Sequence, residues 1–414
     1  MIKLHPTQWL LAALAGELGF DKDTWKTRVN EGLKWYKSHS HEERLLEAKK
    51  ETNTVFYSYV IALEAIEAGE LVHTPVRLDW GSSGISILSC VFRDAVGLEN
   101  TSSIRVEKPL GVYGLLMEKM GLDPKDSEKK KIVKKKMTVP YVYGGDSGVK
   151  HNLHKVVSFT GTDDPLVAFG QVYGSLFPSA KEARKAFLDA WDDDIWLYSW
   201  FAPDGFQCRK IVAKSVDSTV ELYSGEGGSV GKMSVHLSLS KIVTKQKGEA
   251  GTRGLGANVV QSTDAYILRE IIRRGRASKL RENFKKFVKS GEGKEPNETI
   301  SSLINTYEEQ KVPTLVILEY LEEPTKLPQD VVEMLEEELN TLTDDYEVLP
   351  VHDEFGVLPT KVQALRINAN RVFAGIYKSN LGAYWNKVFN MNITINHYDE
   401  EVYEDILDSD YLIN

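Results

Sequence analysis

A helix-rich α+β fold is what this sequence predicts, on three observations. Apolar residues recur at three- and four-residue spacing through the first 70 residues, whereas β-branched and aromatic runs broken by turn residues fill 196 to 245. Two further short extended runs each deliver an aspartate, Asp79 and Asp353. Between them lies Lys131–Gly144, KIVKKKMTVPYVYG, where most of a lysine run leads into a Tyr-Gly pair.

The elements follow in order. Trp9–Leu18, Lys22–Tyr36 and His41–Gly69 carry helical spacing, with Gly69 as a stop. Val72–Leu78 reads as a strand that hands Asp79 to the Gly/Ser turn DWGSSGISILS. A helix at Gly111–Met120 precedes the lysine stretch. Read as an α-helix, that stretch puts Lys131 and Lys135 one turn apart and Tyr143 two turns further on. After Gly144, Gly145 and Gly148 comes a helix at Ser179–Asp193, then strands broken at Pro203-Asp204-Gly205 and a long hairpin, 220–243, around Gly225–Gly228. Asn258–Arg276 is helical with a basic end formed by Arg269, Arg273, Arg274 and Arg276. Pro313–Tyr320 is apolar enough for a strand or a buried helix, and Tyr346–Pro359 reads as two strands joined at His352-Asp353-Glu354.

Composition narrows the class. With 414 residues, 42% hydrophobic, and eight Trp, 18 Tyr and 14 Phe, the chain is globular and large enough for two or three domains. No apolar run approaches the ~18 residues of a membrane span, and no secretory signal frames the first residues. Two cysteines, Cys90 and Cys208, give no disulfide framework and suggest a reducing compartment. The net charge of −9 argues against nucleic acid, but its distribution reverses that: Lys241–Lys289 holds 13 Lys/Arg against four Asp/Glu, and Asp399–Asp410 holds seven acids and no base.

Two aspartates displayed on strand ends suit a pair of Mg²⁺ ions, which take hard oxygen ligands and leave positions for substrate phosphates. Lysines neutralise phosphate as point charges, and an aromatic ring offers a base a stacking plane. Either aspartate alone reads as a turn or a cap, and a lysine run alone as a solvated face. His151-x2-His154 lacks further ligands at zinc spacing.

Lys131-x3-Lys135-x7-Tyr143-Gly144 is similar to motif B of right-hand polymerases; LDWGSSGI around Asp79 resembles motif A, and VHDEFG around Asp353 resembles motif C. The form Asp79-x3-Ser83-Gly84-Ile85, without the bulky Glu of family A DNA polymerases, looks like that of the single-subunit phage or mitochondrial RNA polymerases. So do Phe92-Arg93-Asp94, Val96-Gly97, Asn100, Tyr113-Gly114, Met137-Thr138, Trp200-x2-Pro203-Asp204-Gly205-Phe206 and Asn258-x-Val260-x-Ser262-x-Asp264.

The resemblance implies a right-hand polymerase fold: a small antiparallel palm sheet carrying the aspartates, surrounded by helices. It divides the chain into a helical lead-in and first palm part at 1–107, fingers at 108–261, and a second palm part with the tail at 262–414. It implies a DNA-dependent RNA polymerase catalytic subunit that adds ribonucleotides with release of pyrophosphate. Asp79 and Asp353 would bind two Mg²⁺; Asp79, Asp353, Lys135 and Tyr143 would be catalytic. Lys131, Lys135, Tyr143, Gly144, Gln261 and Gly81 would bind the nucleotide, with His352 and Glu354 supporting. Arg269, Arg273, Arg274, Lys241 and Lys245 would meet nucleic acid, and the 220–243 hairpin would read promoter sequence.

Four departures from the family pattern stand out: Lys131 for Arg, Gln261 for His, Pro140 inside the motif B helix, and Glu354 after the second aspartate. The chain resembles the palm-and-fingers half alone, which implies the larger polypeptide of a split phage enzyme in the cytoplasm of an infected bacterium. Its implied partners are a DNA template, RNA product, ribonucleoside triphosphates and a second subunit with the Asp/Thr-x-x-Gly-Arg motif, with no membrane. A family A-like DNA polymerase and a non-catalytic nucleic-acid-binding subunit are the alternatives.

Overall fold

Four helices open the chain in a computed structural model: α1 (Pro6–Ala15), which runs on into a π turn, then α2 (Trp25–Ser38), α3 (His41–Lys50) and α4 (Thr54–Glu67). The structure describes residues 1–50, 54–157, 164–223, 234–244, 254–288, 293–351 and 354–414, with backbone only at 48–50, 215, 217–223 and 234–242. Local chemistry starts the first two helices three residues away from the expected Trp9 and Lys22, at Pro6 and Trp25. Gln8 and His5 form a reciprocal cap on α1, and the Thr24 hydroxyl accepts from the Thr27 N–H at the head of α2.

Then come β1 (Val76–Asp79), α5 (Ser83–Val91), α6 (Ala95–Asn100) and α7 (Val112–Lys119). The lysine stretch is one continuous helical rod made of α8 (Ser127–Lys131), a π-helical segment (Ile132–Thr138) and α9 (Val139–Val142). Helices α10 (Ser147–Val156), α11 (Pro165–Leu176) and α12 (Pro178–Asp189) lead to two hairpins, β2 (Leu197–Phe201) with β3 (Gln207–Ile211) and β4 (Ala213–Tyr223) with β5 (Ser234–Thr244). Next are α13 (Leu255–Arg274), α14 (Ala277–Phe287), α15 (Glu298–Gln310), α16 (Ile317–Tyr320) and α17 (Gln329–Thr341). Strands β6 (Leu349–Val351) and β7 (Glu354–Val357) precede α18 (Val362–Lys378), α19 (Leu381–Val388) and α20 (Glu400–Leu407). The result is a helix-rich α+β chain with small antiparallel sheets. Among the described residues no helix is long and apolar enough to cross a membrane.

The sheet that matters has the order β1-β7-β6, with Val76 opposite Val357, Leu78 opposite Phe355 and Asp79 opposite Glu354. Beneath it one apolar core runs from Trp9 to Ile413 and draws on 1–107, 108–261 and 262–414 alike. A second core gathers residues 277–342 alone, from α14 to α17.

Buried charge joins the two. Glu270 on α13 is fully buried and accepts from Thr314 Oγ1 at 2.8 Å and the Leu315 N–H at 3.1 Å. It pairs with Arg273 and Arg274, one turn along the same helix. Arg274 also pairs with Glu338 of α17, which Arg371 of α18 grips at 2.9 Å, and Arg273 reaches Glu319 at 2.8 Å. Arg269 is held by both oxygens of Asp204, at 2.6 and 2.8 Å. The expected basic end of this helix is corrected here: Arg273 and Arg274 face inward because Glu270, Glu319 and Glu338 supply their counter-charges, and Arg269 is spoken for by Asp204.

Burial alone would raise the Glu338 carboxyl, but the guanidinium groups of Arg274 and Arg371 outweigh it and hold it below the ordinary range. A depressed folded value stabilises fully above the unfolded value of about 4.3 and is lost as pH falls from there. Glu338→Gln is expected to lower stability by up to about 3–5 kcal/mol at pH 7, since it leaves buried Arg274 with Glu270, already shared with Arg273, as its counter-charge. The Glu338 contribution to wild-type stability should be lost progressively as pH falls through about 4.3 and on through the depressed folded value. Denaturant midpoints across pH check both; an unchanged midpoint in the variant contradicts the account.

Candidate active site

A cleft of about 620 Å³ is walled by the turn after β1, the head of α7, the lysine rod and the tail residues Tyr411 and Asn414. It gathers Asp79, Gly81, Lys131, Lys135 and Tyr143, which the sequence holds far apart.

Asp79 is placed by strand alternation. Val76 and Leu78 are buried, so Arg77 and Asp79 share the opposite, exposed face. Glu354, directly across the ladder from Asp79, shares that face and binds Arg77 at 3.0 Å. Two hard oxygen donors therefore stand on adjacent strands, the donor chemistry that Mg²⁺ takes. Among the described residues no group of three or more His, Cys, Asp or Glu gathers as a metal cluster. His352 and Asp353 lie outside the described residues.

The tail completes this edge. Asp79 and Asn414 exchange both backbone hydrogen bonds, each 3.0 Å, as an added strand pair would. Arg28 donates to Asn414 Oδ1 at 3.0 Å, Tyr411 stacks on Trp25, Arg366 donates to the Asp410 carbonyl at 2.8 Å, and Leu412 and Ile413 are buried. Burial pulls the Arg28 guanidinium down to about 10, which leaves it charged at neutral pH. The sequence leaves open whether this acidic segment docks; it docks through its apolar residues, its backbone and the Asp410 carboxylate, which accepts from Arg366 at 3.1 Å and from the Ile2 N–H at 2.6 Å.

After Asp79, Trp80 turns inward, edge-on to Phe373, and Ser82 adopts a left-handed φ of 62° that starts α5. Gly84 makes room for a contact: a Cβ there would lie 2.4 Å from the Tyr143 hydroxyl, and the tyrosine would have to shift. The turn after Asp79 and the end of the lysine rod thus touch through a glycine and a tyrosine.

The rod corrects the expected α-helix. Residues 132–138 are π-helical, and Val139 donates five residues back to Lys134. Pro140 supplies the physical reason. It has no N–H for the Lys136 carbonyl, and α10 crosses at that spot with Gly148 so close that a Cβ would sit 2.0 Å from the Lys136 oxygen. Val133 and Met137 face the core, while Lys130, Lys131, Lys134 and Lys135 line the cleft. The following turn has Gly144 at φ 91°. Arg184 fixes it by donating to the Tyr141 carbonyl at 2.7 Å, lying over the Tyr141 ring and pairing with Asp146.

The remaining motif residues build the frame. Asp94 accepts from Gly97 and Ser179, Arg93 donates to the Tyr377 carbonyl, and Asn100 donates to the Leu176 carbonyl. Trp200 donates to Ser262 at 2.9 Å, and Lys210 to Asn258 at 3.3 Å. Gln261 is exposed on α13, next to Val260, which lines a small pocket with Tyr143 and Gly144. Lys245, the Lys241 side chain and the tip of the 220–243 hairpin lie outside the described residues. Sequence reasoning passed over Lys130 and Lys134, which were signalled by their place in the lysine run, and Asn414, which nothing local signals.

An alanine in a helix ordinarily stabilises relative to glycine by up to about 1 kcal/mol. Gly148→Ala is expected to do the reverse and lower the melting temperature, because the Lys136 carbonyl occupies the Cβ position. A raised melting temperature would contradict the packing given for Pro140.

No known protein-family model matches this chain, and no curated protein matches it.

Proposed function

We propose that the chain is the catalytic subunit of a DNA-dependent RNA polymerase of the single-subunit type, with palm and fingers, adding ribonucleotides to an RNA 3′ end with release of pyrophosphate. The observation that carries the reading is that Asp79, Lys131, Lys135 and Tyr143 line one cleft, while Glu354, the residue after Asp353, stands in register with Asp79.

In this reading Lys131 and Lys135 neutralise the incoming triphosphate as charge develops on it. Tyr143, held against Gly84, offers its ring to the nucleotide and its hydroxyl to the ribose side. Gly81 keeps the wall beside Asp79 low. Asp79 and Asp353 would hold two Mg²⁺ ions, whose chemistry is to acidify the attacking 3′-hydroxyl and stabilise the leaving oxygen. The rNTP choice follows from the motif A turn, which carries no bulky carboxylate. The partners proposed are DNA template, RNA product, and a second polypeptide with the Asp/Thr-x-x-Gly-Arg motif, and the β4–β5 hairpin is the element assigned to promoter reading.

Primer extension on a DNA template with Mg²⁺, with rNTPs in one reaction and dNTPs in another, tests the reading. Extension with rNTPs is expected, and Asp353→Asn should reduce it by roughly 10²–10³-fold or more with DNA binding kept. Preference for dNTPs, or undiminished extension by the variant, would overturn it.

A further inference from the structure

The cleft contains more cationic charge than the two lysines of the motif B pattern. Lys130 and Lys134 line it as well, one helical turn apart and next to Lys131 and Lys135. Two nearby cations outside this group have counter-ions. Lys129, one residue before and not on the cleft wall, pairs with Asp126 at 3.6 Å, and Lys22, across the cleft, pairs with Asp21 at 3.0 Å. Among the described residues, no carboxylate pairs with Lys130, Lys131, Lys134 or Lys135. Lys134 instead holds its ammonium 5.2 Å from the centroid of the Tyr113 ring, itself on the cleft wall.

A ring face attracts an ammonium without capping its N–H donors. It orients Lys134 and leaves those donors to a ligand. Four like charges on adjacent turns repel one another, a cost that an anion with several negative charges would offset. The α7 helix that carries Tyr113 packs on the π-helical segment, so the ring and the lysine are fixed in one frame.

We infer that Lys130 and Lys134, with Tyr113, form a second phosphate subsite beside Lys131 and Lys135, so that the cleft selects polyphosphates of three groups over monophosphates. The inference rests on the nucleotide-polymerising reading for its biological substrate, a ribonucleoside triphosphate, but the subsite is defined by phosphate chemistry alone.

Calorimetric binding at fixed ionic strength tests it, with inorganic tripolyphosphate, orthophosphate and a single-stranded DNA oligonucleotide as separate probes. Tripolyphosphate should bind more tightly than orthophosphate. In the Lys130→Gln/Lys134→Gln variant, tripolyphosphate affinity should fall by about tenfold or more, the value of a charged hydrogen bond. Tyr113→Leu should weaken tripolyphosphate binding as well, with all four lysines in place. Unchanged tripolyphosphate affinity in the double variant, or a loss confined to the oligonucleotide, would overturn the inference. The two readings fail separately. Loss of tripolyphosphate binding in the variant, with no extension by the wild type, keeps the subsite and defeats the polymerase; extension by the wild type with unchanged binding in the variant does the opposite.

Discussion

Four residues of β1 pair with four of β7, and the candidate site depends on that short ladder. Closing a loop of this length costs about 5 kcal/mol in chain entropy, and so short a ladder does not stand alone in water. The offset lies underneath: Val76, Leu78, Phe355 and Val357 are all nearly fully buried, each worth about 1.5–3 kcal/mol. The alternation that sends those four inward sends Arg77, Asp79 and Glu354 outward. Burial and display of the carboxylates are the same event, and a register slip of one residue would bury Asp79 and expose Leu78.

The other wall is set by a different constraint. A proline that cannot donate, a glycine that lets α10 approach the orphaned carbonyl, and a π-helical segment form one solution to a single packing problem. That solution leaves four lysines along the cleft and brings Tyr143 against Gly84. The tail adds a third contribution, since Asn414 occupies the backbone of Asp79 that β7 does not. The buried Glu270, Arg273, Arg274 and Glu338 cluster then ties this assembly to the second core.

Much of this was legible in the sequence, and what was not has identifiable causes. Alternation and periodicity located the strand before Asp79, the β2–β3 turn at Pro203–Gly205, the paired strands around Glu354 and the long helix ending at Arg274. They are local signals. The π-helical segment escaped because reading at 3.6 residues per turn presupposes the bonding that Pro140 disrupts. Arg273 and Arg274 read as surface because a one-dimensional pattern contains no record of Glu338, which lies in another helix. The docking of Asp410–Asn414 depends on Trp25 and Arg28 near the opposite end of the sequence. The last two failures are long-range partners overriding a local preference.

The central claim is that the cleft between Asp79 and the lysine rod receives a nucleoside triphosphate. A photoreactive ribonucleoside triphosphate, crosslinked to the chain and mapped by peptide mass, tests it most directly. The account predicts adducts within residues 79–85 or 127–144 that unlabelled triphosphate competes away. Competed adducts confined to other parts of the chain would contradict it.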